Sequence, residues 1–176
     1  MQKFIQKARK TIWTVHEKDF RGLLDDGFGF ASAYFLTIFL IGFIIQFLLL
    51  LLRGGDLAMA LIGSVFLFVT YAVGPGMLLP LVTQGILMLL RKKASLEETL
   101  QMYYYGATPS MLGSWIPCAG GLTPLISLGN VFRGIREINK LSFLEAFVSV
   151  LVPVLAYWLA WLYFVTYIYV LSQGAT

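Results

Sequence analysis

Four stretches of the chain contain no Asp, Glu, Lys or Arg: residues 28–52 (25 residues), 57–90 (34), 99–132 (34) and 146–176 (31). Each exceeds the roughly 20 apolar residues that a helix needs to cross a bilayer. None alternates with a polar face as a surface helix of a soluble domain would. The 12% of charged residues, against about 25% in soluble domains, points the same way. The sequence therefore reads as an all-α polytopic membrane protein.

Charge decides how often each stretch crosses. Lys3, Lys7, Arg9, Lys10, Lys18 and Arg21 precede the first stretch. Arg91, Lys92 and Lys93 follow the second, and Arg133, Arg136 and Lys140 follow the third. Short basic segments stay in the cytoplasm, so an even number of crossings separates each cluster from the next. Two, two and one crossings satisfy this, giving five helices at about 28–52, 57–90, 96–116, 124–139 and 143–171. The N-terminus is then cytoplasmic and the C-terminus extracytoplasmic.

Local signals fit that division. Arg53-Gly54-Gly55-Asp56 reads as a tight turn, with the glycines ending one helix and Asp56 capping the next. Gly74, Pro75 and Gly76, with Pro80, predict a kink or short unwound stretch in the second helix. Residues 115–123, with Pro117, Gly120 and Gly121, predict a hairpin turn, and Thr123-Pro124 an N-cap followed by proline. Ser95-Leu96-Glu97-Glu98 and Ser142-Phe143-Leu144-Glu145 are both capping boxes, which explains Glu98 and Glu145 without catalysis. Trp158, Trp161, Tyr163, Tyr167 and Tyr169 load the outer half of the fifth helix with aromatics, as at a headgroup boundary.

Residues 1–27 form a separate segment in which Phe4, Ile5, Ala8, Ile12, Trp13, His16 and Phe20 recur at helical spacing opposite Lys and Arg. This predicts an amphipathic helix on the inner leaflet, attracted to anionic lipid headgroups; a plain positive-inside signal accounts for the same charges. No cleavable signal peptide is expected, because the first apolar run is too long for one. The lone Cys118 and lone His16 supply no internal disulfide and no metal site without carboxylates. No nucleophile elbow, phosphate loop or His-Glu-x-x-His pattern occurs, so neither an enzyme nor a cofactor is expected. The basic residues are accounted for by orientation, which leaves nothing for nucleic acid.

One pattern is more specific. Tyr103-Tyr104-Tyr105-Gly106-Ala107-Thr108-Pro109 is followed by a Gly- and Pro-rich turn, then Gly129, Arg133-Gly134-Ile135-Arg136-Glu137 and Leu141-Ser142. In these residues the chain resembles the Yip1 domain family, whose members share an "aYs-x-x-P" element in the third helix and a "gl-k-e-v-h-g-l-s" element leaving the fourth. Tyr105, Thr108 and Pro109 match the first; Gly134, Arg136, Glu137, Leu141 and Ser142 match the second. Glu17-Lys18-Asp19-Phe20 stands where many members carry Pro before Phe-Phe, and Asn139 or Lys140 replaces their His. The resemblance implies five membrane helices and a cytoplasmic N-terminus. For eukaryotic members it implies Rab GTPase binding and roles in vesicle traffic between endoplasmic reticulum and Golgi. Their long N-terminal region is missing here, so the chain resembles a short prokaryotic member in the cell membrane.

The candidate residues fall into two groups. Arg91, Lys92, Lys93, Arg133, Arg136, Glu137 and Lys140 are candidates for binding lipid phosphate or an acidic partner, with topology charges and an Arg133–Glu137 surface pair as the plainer account. Gly74, Pro75, Gly76, Gln84, Tyr105, Thr108, Pro109 and Asn130 are candidates for intramembrane packing or a path, with interhelical hydrogen bonding the plainer account. No carboxylate or cation sits near a helix centre, which argues against a proton-coupled transporter. The expected function is a non-enzymatic membrane adaptor or organiser whose partners are the bilayer, anionic headgroups, a protein or a second copy of the chain. A small channel, transporter or lipid-handling protein, acting as an oligomer, stays open, as does a subunit of a transport complex.

Overall fold

The computed structural model describes residues 24–93, 95–113 and 122–174, with Ile5, Gln6 and Gly22. Among the described residues the chain is all helical, with no strand. Helix α1 (Gly27–Leu52) is followed by α2 (Leu57–Val73), a π turn (Gly74–Leu78) and α3 (Leu79–Leu89). Then come α4 (Leu96–Gly106), α5 (Thr108–Gly113) and α6 (Thr123–Ile138). The chain ends in α7 (Phe143–Ala146), a second π turn (Phe147–Leu151) and α8 (Val152–Gly174).

Three helical stretches are long and apolar enough to cross a membrane: Gly27–Leu52, Leu57–Leu89 and Phe143–Tyr167. Only 17%, 18% and 22% of their most apolar windows are buried inside the protein, so most of their apolar side chains face outward, where lipid can cover them. The opposite holds for α4 and α5. Gln101, Met102, Tyr103 and every residue from Tyr105 to Met111 are buried, because α4 packs against α1, α3 and α6. The least apolar helix is thus the enclosed one, and its polar groups meet other helices rather than lipid.

The α1–α2 turn forms as its residues dictate. Gly54 takes φ +83°, the Gly55 N–H reaches the Leu50 carbonyl at 3.2 Å, and the Asp56 carboxylate accepts from the Met59 N–H at 2.7 Å. These are a Schellman stop and an N-cap.

At Gly74-Pro75-Gly76, where a kink or short unwound stretch is expected, the helix widens into a π turn, with the Leu79 N–H bonded to the Gly74 carbonyl. Proline removes one N–H from the ladder, and the wider turn gives the freed carbonyls room. Three expectations need correction. The third helix is divided at Ala107, which leaves Pro109 in the first turn of α5, the position where a missing N–H costs least. Leu122, not Thr123, occupies the N-cap of α6, with no side-chain cap. The last helix contains its own π turn two residues before Pro153. The amphipathic N-terminal helix and most of the hairpin turn at 115–123 lie outside the described residues.

Candidate functional site

At one end of the bundle two turns of the same construction meet. After α3, Arg91 adopts φ +56°, with the Lys92 N–H on the Leu87 carbonyl and the Arg91 N–H on the Met88 carbonyl. After α6, Lys140 adopts φ +49°, with the Leu141 N–H on the Arg136 carbonyl and the Lys140 N–H on the Glu137 carbonyl. Both are Schellman motifs in which a cation stands where glycine is usual. Each turn then starts the next helix with a complete capping box, Ser95 with Glu98 and Ser142 with Glu145.

A salt bridge clasps the two turns. Lys92 Nζ lies 2.9 Å from Glu145 Oε1, with the side chains 26% and 30% exposed, while Glu145 Oε2 accepts from the Ser142 N–H at 2.8 Å. The start of α1 joins the same end: Glu97 Oε1 accepts from the Phe28 N–H at 3.0 Å and from the Gln101 amide at 3.3 Å. Arg91, Lys93, Arg133, Arg136 and Lys140 are exposed. Among the described residues none of these five forms an ion pair, so the expected Arg133–Glu137 pair is absent. Glu137 itself is half-buried. The structure therefore brings Arg91, Lys92 and Lys93 to the same end as Arg133, Arg136, Glu137 and Lys140, with Lys92 committed to Glu145.

The intramembrane candidates do not gather into one site. Gln84 Oε1 accepts from the Thr99 hydroxyl at 2.7 Å, tying α3 to α4. One residue earlier, Thr83 and the Tyr103 hydroxyl lie 2.6 Å apart. Thr108 is bonded to the Tyr34 hydroxyl at 3.1 Å, tying α5 to α1, while Tyr105 packs its ring 5.1 Å from that of Tyr34. Pro109 is buried beside Ser110, whose N–H donates to the Ser127 hydroxyl at 2.8 Å. Asn130 is half-buried on α6. Gly74 lies under the Tyr157 ring, which a Cβ there would overlap, and the Tyr157 hydroxyl donates to the Thr70 carbonyl at 2.9 Å. Gly76 is buried against Phe35, with Pro75 half-buried between the two glycines.

Sequence reasoning misses three features. The left-handed Arg91 and Lys140 leave no trace, because the usual sign of that turn is a glycine. Tyr103 and Thr83 pair across helices too far apart in sequence for any spacing rule. Ser64 is the third: it is 1% exposed, and its hydroxyl has no partner among the described residues. Comparisons with protein-family models, curated proteins and solved structures return no match.

Proposed function

We propose that the chain is a five-span membrane protein of the Yip1 type that acts without chemistry, as an adaptor or organiser binding a protein or anionic lipid at its cytoplasmic face. In this reading α4–α5 and α6 form the third and fourth crossings and the charged end faces the cytoplasm of a prokaryotic cell. The observation that carries it is the clasped pair of turns: three carboxylates at this end, Glu97, Glu98 and Glu145, serve caps, Lys92 or a helix start, while five exposed cations form no ion pair among the described residues. A surface so divided is rigid underneath and available on top. The engagement of Gln84 with Thr99 and of Thr108 with Tyr34 favours this over a solute path through those residues.

Crosslinking tests the proposal. Photoreactive side chains placed at Lys93 and at Arg136 should capture the same protein or the same anionic lipid class in native membranes, and a label at Leu159, exposed on α8, should not. Capture of nothing from either position, together with solute flux in vesicles abolished by Gln84→Leu, would favour the channel instead.

A further inference from the structure

Hydroxyl groups on helices in apolar surroundings usually turn back onto their own backbone, and several here do. Thr37 donates to the Ala33 carbonyl at 2.7 Å, Thr70 to Phe66 at 2.9 Å, Ser149 to Glu145 at 2.7 Å and Thr166 to Leu162 at 2.8 Å. Ser64, in the middle of α2, does not. Its hydroxyl is buried and has no partner among the described residues, and it lines a cavity of about 50 Å³ between α1, α2 and α5. Gln46 of α1 lines the same cavity, and Phe39, Phe43 and Phe68 wall it. Gly42 belongs to the wall as well: a Cβ there would stand 3.0 Å from the Met111 carbonyl oxygen, so a larger residue would push α1 and α5 apart by a few tenths of an ångström.

Five properties define what belongs in the cavity. An unpaired hydroxyl in apolar surroundings costs on the order of 1–3 kcal/mol, so the occupant must bring a hydrogen-bonding atom. The lining holds no carboxylate, amine, guanidinium or imidazole, and its one phenol, Tyr71, is neutral near pH 7, so that atom is uncharged. Ser64 lies seven residues into α2, about 10 Å from the α1–α2 turn at 1.5 Å per residue, deeper than a phospholipid headgroup sits. Gly42, Phe43 and Gln46 are partly exposed on the outward face of the bundle, so the cavity is reached from the bilayer and not from the aqueous end. The volume admits a few water-sized groups and no ring.

We infer that the Ser64–Gln46 cavity is a binding site for the head of a neutral lipid alcohol, of which diacylglycerol is the membrane's own example. The lipid hydroxyl would donate to one of these side chains and accept from the other, while its tails lie along the outward face of α1. The site lies away from the clasped turns and does not depend on which side of the membrane they face.

The test uses the full chain in phosphatidylcholine vesicles containing a photoactivatable diacylglycerol or, separately, a photoactivatable phosphatidylcholine. Diacylglycerol label should concentrate on the peptides spanning 39–46 and 64–71, and should fall about five-fold in Ser64→Ala, as expected for one lost hydrogen bond. Gln46→Leu should reduce it as well. In detergent without the lipid, Ser64→Ala should melt at the same temperature as the parent or higher, because it removes an unpaired hydroxyl. Equal labelling by both lipids, label elsewhere in the bundle, or undiminished label in Ser64→Ala would overturn the inference. So would a lowered melting temperature or failure to fold in Ser64→Ala, since either outcome means that water or protein already satisfies the hydroxyl.

Discussion

Arg91 and Lys140 hold backbone conformations that suit glycine, and both do so at the last turn of a helix. A side chain in the left-handed region costs roughly 1–2 kcal/mol, partly offset by a cation's attraction to the helix C-terminus and by the extra flexibility glycine has when unfolded. Arg91→Gly and Lys140→Gly should therefore each leave stability unchanged or raise it by up to about 1 kcal/mol, as measured by chemical unfolding in detergent. A fall of more than that would mean that the side chains hold the turns together. Crosslink yield from Lys93 and Arg136 should drop in the same variants if the cations serve binding. The capping boxes at Ser95 and Ser142 were legible because both of their partners are spelled out three residues apart. The turns just before them were not, because neither places a glycine or asparagine at the left-handed position. Ser64 was hidden for a different reason: a serine in an apolar helix looks the same in sequence whether it bonds its own backbone or faces a cavity.

At the level of elements, close packing centres on glycines whose neighbours are large. A Cβ at Gly106 would overlap the Val131 side chain on α6 and come 3.2 Å from the Val131 nitrogen, whereas Gly129, also on α6, has open space around it. Gly106→Ala should cost about 1–3 kcal/mol by overpacking, while Gly129→Ala should be neutral or slightly stabilising; thermal unfolding of the two variants separates them. Equal effects would show that the α4–α6 contact is looser than drawn. Sequence patterning located the ends of α1, of the α2–α3 stretch and of the α7–α8 stretch to within a few residues, since long uncharged runs and strong turn residues bound them. It said less about the interiors. Whether a proline interrupts, kinks or widens a helix depends on what packs around it, and here Tyr157 covers Gly74 and donates to the Thr70 carbonyl across 87 residues of sequence.

Taken as a whole, the molecule puts its more polar helices inside and its most apolar ones outside, the inverse of a water-soluble bundle. Hydropathy found the outer layer readily and left the inner one, α4 and α5, ambiguous, because a helix shielded from lipid has no need to be greasy. The five-span arrangement proposed above makes a definite statement about the chain ends. An epitope fused after Thr176 should be removed by protease applied to the outside of intact cells, and one fused before Met1 should survive. The reverse result would place the clasped turns on the outside, and survival of both epitopes would mean an even number of crossings. Protection of both against a background of intact folding would leave the Ser64 cavity untouched and the clasped turns, which share an end with the start of α1, on the cytoplasmic side, and would revise only the number of crossings.

Each π turn accommodates one residue more than a regular helix of the same rise would hold. A residue occupies about 100° of helical rotation, so ironing out Gly74–Leu78 while the α2 end stayed fixed would swing everything beyond it by that angle. Thr83 and Gln84 would then turn away from Tyr103 and Thr99, and the contact between α3 and α4 would have to be rebuilt on another face. The paired hydroxyl and amide groups there thus act as a detent, holding a long helix in one of its two possible rotational settings.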